Sequence, residues 1–246
     1  MNVFNKEVEI VRPVFTIFFI IDTSACMAGE RIAMLNIEML ETIPFVRNIS
    51  IENPDIQIKI AVLESSNHAR WITNGPIEVE QFVWICLDAG GNADFGAAFE
   101  TLNDKLSRQA FMQSQSSFSP LIIFISDGIN MNAGEKPFIA LQMLKNNKWF
   151  KEGIKAAIAT GNDANIDLLA EFTGSMDSVK KIKSGIIQYL IKEAMGAIWI
   201  CLDRPIDLEY ESDLQMIFND RIKNFHQTGS ISTTIPNNDV NDDDWF

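Results

Sequence analysis

The sequence predicts an α/β fold: a doubly wound, mostly parallel sheet with one short antiparallel edge strand and helices on both faces. Three observations carry this expectation. Strand-like and helix-like apolar patterns alternate along nearly the whole chain, as in doubly wound domains. The runs 14–21, with Thr16 its one polar residue, and 121–125 are too uniformly apolar for half-exposed strands and too short to span a membrane, so they read as parallel strands buried on both faces. Each run leads into a turn bearing a carboxylate, Asp22-Thr23-Ser24-Ala25-Cys26 after the first and Ser126-Asp127-Gly128 after the second. Ligands of open α/β sheets bind just past the carboxyl ends of the strands. Asp22 and Asp127 are therefore expected on one rim.

The remaining elements follow in order. After the first strand, Ala28-Gly29-Glu30 opens a helix on which Ile32, Leu35, Met39, Leu40 and Ile43 recur at helical spacing, with Pro44 placed to end or bend it. Residues 56–62 alternate as a half-exposed strand does, and Asn67-His68 turns the chain into the antiparallel edge strand at 69–72. Residues 96–112 read as a helix, followed by a Ser/Gln-rich loop at 113–119. Beyond the strand at 121, residues 137–149 read as one helix and 154–159 as the next buried strand. A short helix at 165–172 is closed by Gly174, a residue suited to the left-handed turn at a helix end. Residues 179–182 form the last edge strand. The final helix, 186–200, carries Tyr189, Leu190, Ala194 and Ile198 on one face. After Asp203 the pattern dissolves. This divides the chain into an α/β domain at 1–204 and a partly disordered acidic tail at 205–246, in which 213–225 allows one helix.

Composition narrows the function. A chain of 246 residues, 47% hydrophobic and 22% charged, can bury a sizeable core and is expected to be soluble. Its first apolar run is interrupted by Arg12 and Pro13 and ends at Asp22, which fits neither a secretory signal nor a membrane span. The cysteines Cys26, Cys86 and Cys201 form no closely spaced pair and are odd in number, so reduced thiols in the cytoplasm are expected. The net charge of −13 decides against direct nucleic-acid binding, which needs clustered Lys and Arg against phosphates. Lys180-Lys181-Ile182-Lys183 is the densest basic stretch and reads as a solvated strand edge. A basic protein surface suits this charge better than an acidic one.

Three motifs meet on the predicted rim: Asp22-Thr23-Ser24-Ala25-Cys26, Gly90-Gly91-Asn92-Ala93-Asp94 with Phe95-Gly96 after it, and Ser126-Asp127-Gly128. Together they resemble the von Willebrand factor A (vWA) domain, and within it the intracellular bacterial TerY-like type of tellurite-resistance proteins. The resemblance covers roughly 11–202. It implies a magnesium site built from a D-x-S-x-S loop, a Thr and a later Asp. Asp22, Ser24 and Asp127 match that ligand set. Cys26 stands where the second Ser belongs, and Ala93 stands where the Thr belongs. Magnesium wants near-octahedral oxygen ligation, a thiol suits so hard an ion poorly, and Ala offers no ligand. The metal-ion-dependent adhesion site therefore reads as degenerate, with no tightly bound cofactor and at most weak magnesium.

Each rim residue also has a simpler role open to it. Asp22 and Asp127 can cap helix N-termini, Ser24 can do the same, and Asp94 can face solvent. Cys26 sits near a helix start, but the chain holds only His68 and His226 as histidine bases, and neither falls near the rim in this reading. A nucleophile needs such a neighbour or a lowered pKa. No nucleophile elbow or Walker loop is present, and Thr160-Gly161-Asn162-Asp163 reads as a plain turn. The chain ends in Asp242-Asp243-Asp244-Trp245-Phe246, an acidic tip with two aromatic anchors, similar in kind to the acidic tips of bacterial single-stranded-DNA-binding proteins.

The function expected is a non-enzymatic protein-interaction module in a bacterial stress-response or defence complex. Asp22, Ser24, Asp94, Asp127, Trp245 and Phe246 would meet a partner, and the TerY-like resemblance implies a kinase or phosphatase. Two alternatives stand beside it: a metal-dependent vWA receptor for an acidic residue, and an enzyme using Cys26.

Overall fold

In a computed structural model of the chain, the described residues are 12–114, 116–129, 135–202 and 214–223. The chain enters through β1 (Val14–Asp22), buried along its whole length, and turns through Ser24–Met27 into α1 (Glu30–Glu52). It returns through β2 (Gln57–Ser65) and the short strands β3 (Ala69–Trp71) and β4 (Ile77–Glu78). A long extended segment leads to α2 (Phe95–Lys105), then to β5 (Leu121–Ser126), α3 (Lys136–Lys145) and α4 (Lys148–Glu152). The chain closes with β6 (Ile154–Ala159), α5 (Ile166–Thr173), β7 (Val179–Lys181), α6 (Ile186–Leu202) and α7 (Leu214–Ile222).

The sheet runs β3-β2-β1-β5-β6-β7, parallel throughout except at the β3 edge. That antiparallel edge comes in two pieces, because β4 also pairs with β2, further along the strand. Alternation along each strand feeds two cores. Phe15, Ile17, Phe19 and Ile21 face α1, α6 and α7 with an aliphatic lining. Phe18 and Ile20 face the helices α2, α3 and α5, where the lining is aromatic. There Phe124 meets Phe95, Phe99 and Phe172 with ring centroids 5.2, 5.7 and 5.2 Å apart, spacing suited to edge-to-face contact.

Several expected boundaries move. Pro44 lies inside α1, which continues to Glu52 with Val46 and Ile49 buried beyond the proline. Burial of the second half outweighs the lost hydrogen bond. The expected helix 96–112 stops at Lys105, and the expected helix 137–149 is two helices. Asn147 causes that break: its side chain accepts from Trp149 N–H to cap α4 and donates to the carbonyls of Asn103 and Leu106. Gly174 takes the left-handed turn after α5, with φ 78°.

Residues 214–222 form the single helix that the sequence allowed there. Leu214, Phe218 and Ile222 join the aliphatic core, and Gln215 binds the β6 backbone directly. Its side-chain carbonyl accepts from Lys155 N–H at 2.7 Å, and its amide donates to the Lys155 carbonyl at 3.0 Å. Among the described residues, no helix is long and apolar enough to cross a membrane.

Candidate functional site

Register brings the site together. Asp22 pairs with Ser65 across β2, and Ile21 pairs with Ile125 across β5, so Asp22 and Ser126 finish adjacent strands at the same level. The Ser126 hydroxyl donates to Asp22 Oδ2 at 2.7 Å and accepts from Gly128 N–H at 2.8 Å. Asp22 Oδ1 accepts from Ser24 N–H at 2.8 Å, and Asp127 Oδ1 accepts from Ile129 N–H at 2.9 Å. Both carboxylates thus fold the backbone two residues on, as in Asx turns, and neither caps a helix. Asp22, Ser24 and Asp127 are buried together at the rim. Ser24 caps nothing either, and its Oγ is buried without a hydrogen-bond partner.

The third loop is fastened to the first. Ala25 N–H donates to the Gly91 carbonyl at 2.9 Å, and Gly90 N–H donates to the Thr23 carbonyl at 2.7 Å. Ala93, at the position where the resemblance places a Thr, is fully buried in the aromatic core. Asp94 caps α2 by accepting from Ala97 N–H at 2.9 Å and stands 3.7 Å from the Lys136 ammonium. Its carboxylate is committed to the helix.

One central residue was not foreseen. Arg31, in the first turn of α1, reaches back over the rim. Its Nη1 donates to Asp127 Oδ2 at 2.8 Å and to the Cys26 carbonyl at 3.2 Å, and its Nη2 donates to Asp163. The loop Thr160-Gly161-Asn162-Asp163, read from sequence as a plain turn, is therefore part of the site. Gly161 adopts φ +84°, and a Cβ there would lie 2.6 Å from the guanidinium. The sequence held one signal for Arg31. The positive end of a helix disfavours a cation in its first turn, so an arginine there calls for acidic partners.

Electrostatics follow from burial. Desolvation pushes the Asp22 carboxyl up, against hydrogen bonds from Ser24 N–H and Ser126 and helped by the charge of Asp127. The Ser24 hydroxyl also lowers Asp22 by its nearness, although it does not reach hydrogen-bond geometry. Desolvation likewise pushes Asp127 up, while Ile129 N–H and Arg31 pull it down. Burial and then the charges of Asp127 and Asp22 push the Cys26 thiol up, with Arg31 opposing.

These residues do not fit a magnesium shell. Ala93 has no donor atom, Cys26 offers sulfur, and Asp127 Oδ2 is already paired with the Arg31 guanidinium. Ser24 Oγ alone is an unclaimed oxygen. No group of three or more His, Cys, Asp or Glu residues suited to a metal ion exists among the described residues. Trp245 and Phe246 lie outside the described residues.

No protein-family model and no curated protein sequence matches the chain. Solved structures do match. The vWF domain of the type V pilus tip protein Mfa5 from Porphyromonas gingivalis aligns at TM-score 0.52 and 9% identity, covering 81% of this chain and 99% of that one. The pilus adhesin SpaC from Lactobacillus rhamnosus GG, in its open conformation, aligns at TM-score 0.54 and 12% identity, covering 87% of this chain and 30% of that one. A von Willebrand factor type A protein from Catenulispora acidiphila aligns at TM-score 0.49 and 14% identity, covering 85% of this chain and 42% of that one. The chain thus spans under half the length of two of these three. At such identities the likeness to the first two speaks for architecture alone, and the architecture is that of the von Willebrand factor A domain.

Proposed function

We propose that the chain is a non-enzymatic protein-interaction module that docks a partner at the strand-end rim without a tightly held metal. One observation carries this reading: Asp22, Ser24 and Asp127, from separate strand ends, converge at the rim of a vWA fold, with the Ser24 hydroxyl left unclaimed. Two of the matching structures, a pilus adhesin and a pilus tip protein, support the same class of role. The raised Cys26 thiol speaks against a cysteine enzyme, since the thiolate is the nucleophile. A guanidinium on Asp127, a thiol and an alanine speak against a metal-dependent receptor, and magnesium should bind no tighter than the millimolar range.

The finer assignment rests on the sequence motifs. It is a cytoplasmic, TerY-like subunit of a bacterial stress-response or defence complex, with a kinase or phosphatase partner and no direct contact with nucleic acid or membrane. Trp245 and Phe246 would anchor the same partner or a second one, since buried aromatics commonly dominate interface energies. A pull-down from native-host lysate tests this, run with wild type, Ser24→Ala and Asp163→Lys in parallel. A partner that is lost with the rim variants and kept by wild type supports the rim. Partners retained equally by all three would remove it as the docking surface.

A further inference from the structure

We infer that Arg31 is the rim's built-in cation, its guanidinium filling the charge-balancing role for which a vWA fold ordinarily recruits a divalent ion. Three independent observations converge on it. The guanidinium contacts the buried carboxylate of Asp127, the Cys26 carbonyl and the exposed carboxylate of Asp163, and so ties the β1–α1, β5 and β6–α5 loops together. The β6–α5 loop is shaped around it, because Gly161 takes a left-handed φ of +84° and leaves the guanidinium room that a Cβ would take away. Arg31 also sits in the first turn of a helix of 23 residues, against the helix dipole, a placement that its acidic partners offset.

Charge arithmetic points the same way. Asp127 is buried, and a buried carboxylate that stays ionised needs a compensating positive charge. The planar fork of Arg31 serves two carboxylates at once, Nη1 on Asp127 and Nη2 on Asp163. With Arg31 in place, a divalent ion entering beside Asp127 would meet a fixed positive charge 2.8 Å from Asp127 Oδ2. The rim is thus held in one arrangement whatever the divalent-ion concentration, and chelators should leave it intact. This inference rests on the metal-free reading of the rim and adds the group that makes it metal-free.

Thermal unfolding and calorimetry on the full chain test it. Millimolar Mg2+ or Mn2+ should shift the wild-type Tm no more than NaCl of equal ionic strength, and EDTA should do nothing. Arg31→Ala should lower Tm by roughly 6–20 °C, as expected for stranding a buried carboxylate. Low-millimolar guanidinium ion should recover part of that loss where equal NaCl does not. Mn2+ should then raise the Tm of the variant. Should Arg31→Ala not fold, Arg31→Met combined with Asp127→Asn keeps the test open. Removing both partners should restore folding if Arg31 serves to balance Asp127, and a double variant as damaged as Arg31→Met alone would overturn the idea. A wild-type chain that ignores divalent ions beside an Arg31→Ala variant indistinguishable from it would end the role of Arg31 and leave the metal-free rim standing. Micromolar Mn2+ binding by wild type would end both.

Discussion

Ser126→Ala is the sharpest probe of how the rim is held. The hydroxyl is fully buried, donates to the Asp22 carboxylate at 2.7 Å and accepts from Gly128 N–H at 2.8 Å. Deleting it removes one charge-assisted hydrogen bond and strands two buried polar groups. Hydrogen bonds to charged groups contribute about 1.5–3 kcal/mol, and each stranded neutral group costs about 1–3 kcal/mol. Because the site can relax partly, the expected loss is about 3–4 kcal/mol, where a surface Ser→Ala change would cost about 0.5 kcal/mol or less. In a chain of this size that lowers Tm by roughly 6–16 °C. Urea unfolding gives the free energy directly, and repeating it in an Asp22→Ala background isolates the pair. In that background the loss should shrink to about 1–2 kcal/mol, since only Gly128 N–H is left unpaired. A loss below about 1 kcal/mol in the wild-type background would show that Ser126 does not position Asp22.

Other outcomes follow from the same structure. Gly161→Ala should destabilise by about 2 kcal/mol through left-handed backbone strain and crowding of Arg31, and a loss equally large in an Arg31→Ala background would remove Arg31 from the explanation. Lys155 is buried on β6 with its pKa lowered to about 8 by desolvation, so the unfolded chain holds more protons than the folded one between about pH 8 and 10.5. Wild-type stability should therefore rise across that window relative to Lys155→Met, by up to about 3 kcal/mol, and matching pH profiles in urea unfolding would contradict this. Deleting Trp245 and Phe246 should leave Tm nearly unchanged while weakening partner capture; a marked fall in Tm with capture intact would assign both aromatics to the protein's own core.

Fold and rim differ in how openly the sequence displays them. Strand identity was legible because residues 14–21, apolar apart from Thr16, and residues 121–125 are short runs without alternation, as expected of strands buried on both faces. Asp22 and Asp127 were legible because each lies at or just past the end of such a run. Arg31 and Asp163 were hidden for a geometric reason. They are 132 positions apart, and their meeting depends on a side chain folding back over the helix start and on a glycine conformation that spacing does not reveal. The Asn147 break in 137–149 was hidden for a related reason, since its side chain finds partners in Asn103 and Leu106 on another helix and its end.

The Gln215 contact bears on where this chain can safely be cut. β7 reaches only Ala157 to Ala159 of β6, so the β6 backbone at Lys155 lies beyond the shorter strand's reach. The amide of Gln215 fits there as a single peptide unit of a neighbouring strand would, taking one hydrogen bond and giving one. A chain ending after α6 would keep every strand yet bare that backbone to solvent. Unpaired strand edges recruit other chains. Such a shortened protein should stay folded while dilute and gather into oligomers as its concentration rises. Expression of this domain for partner studies therefore calls for an end point beyond Lys223, well past the last strand.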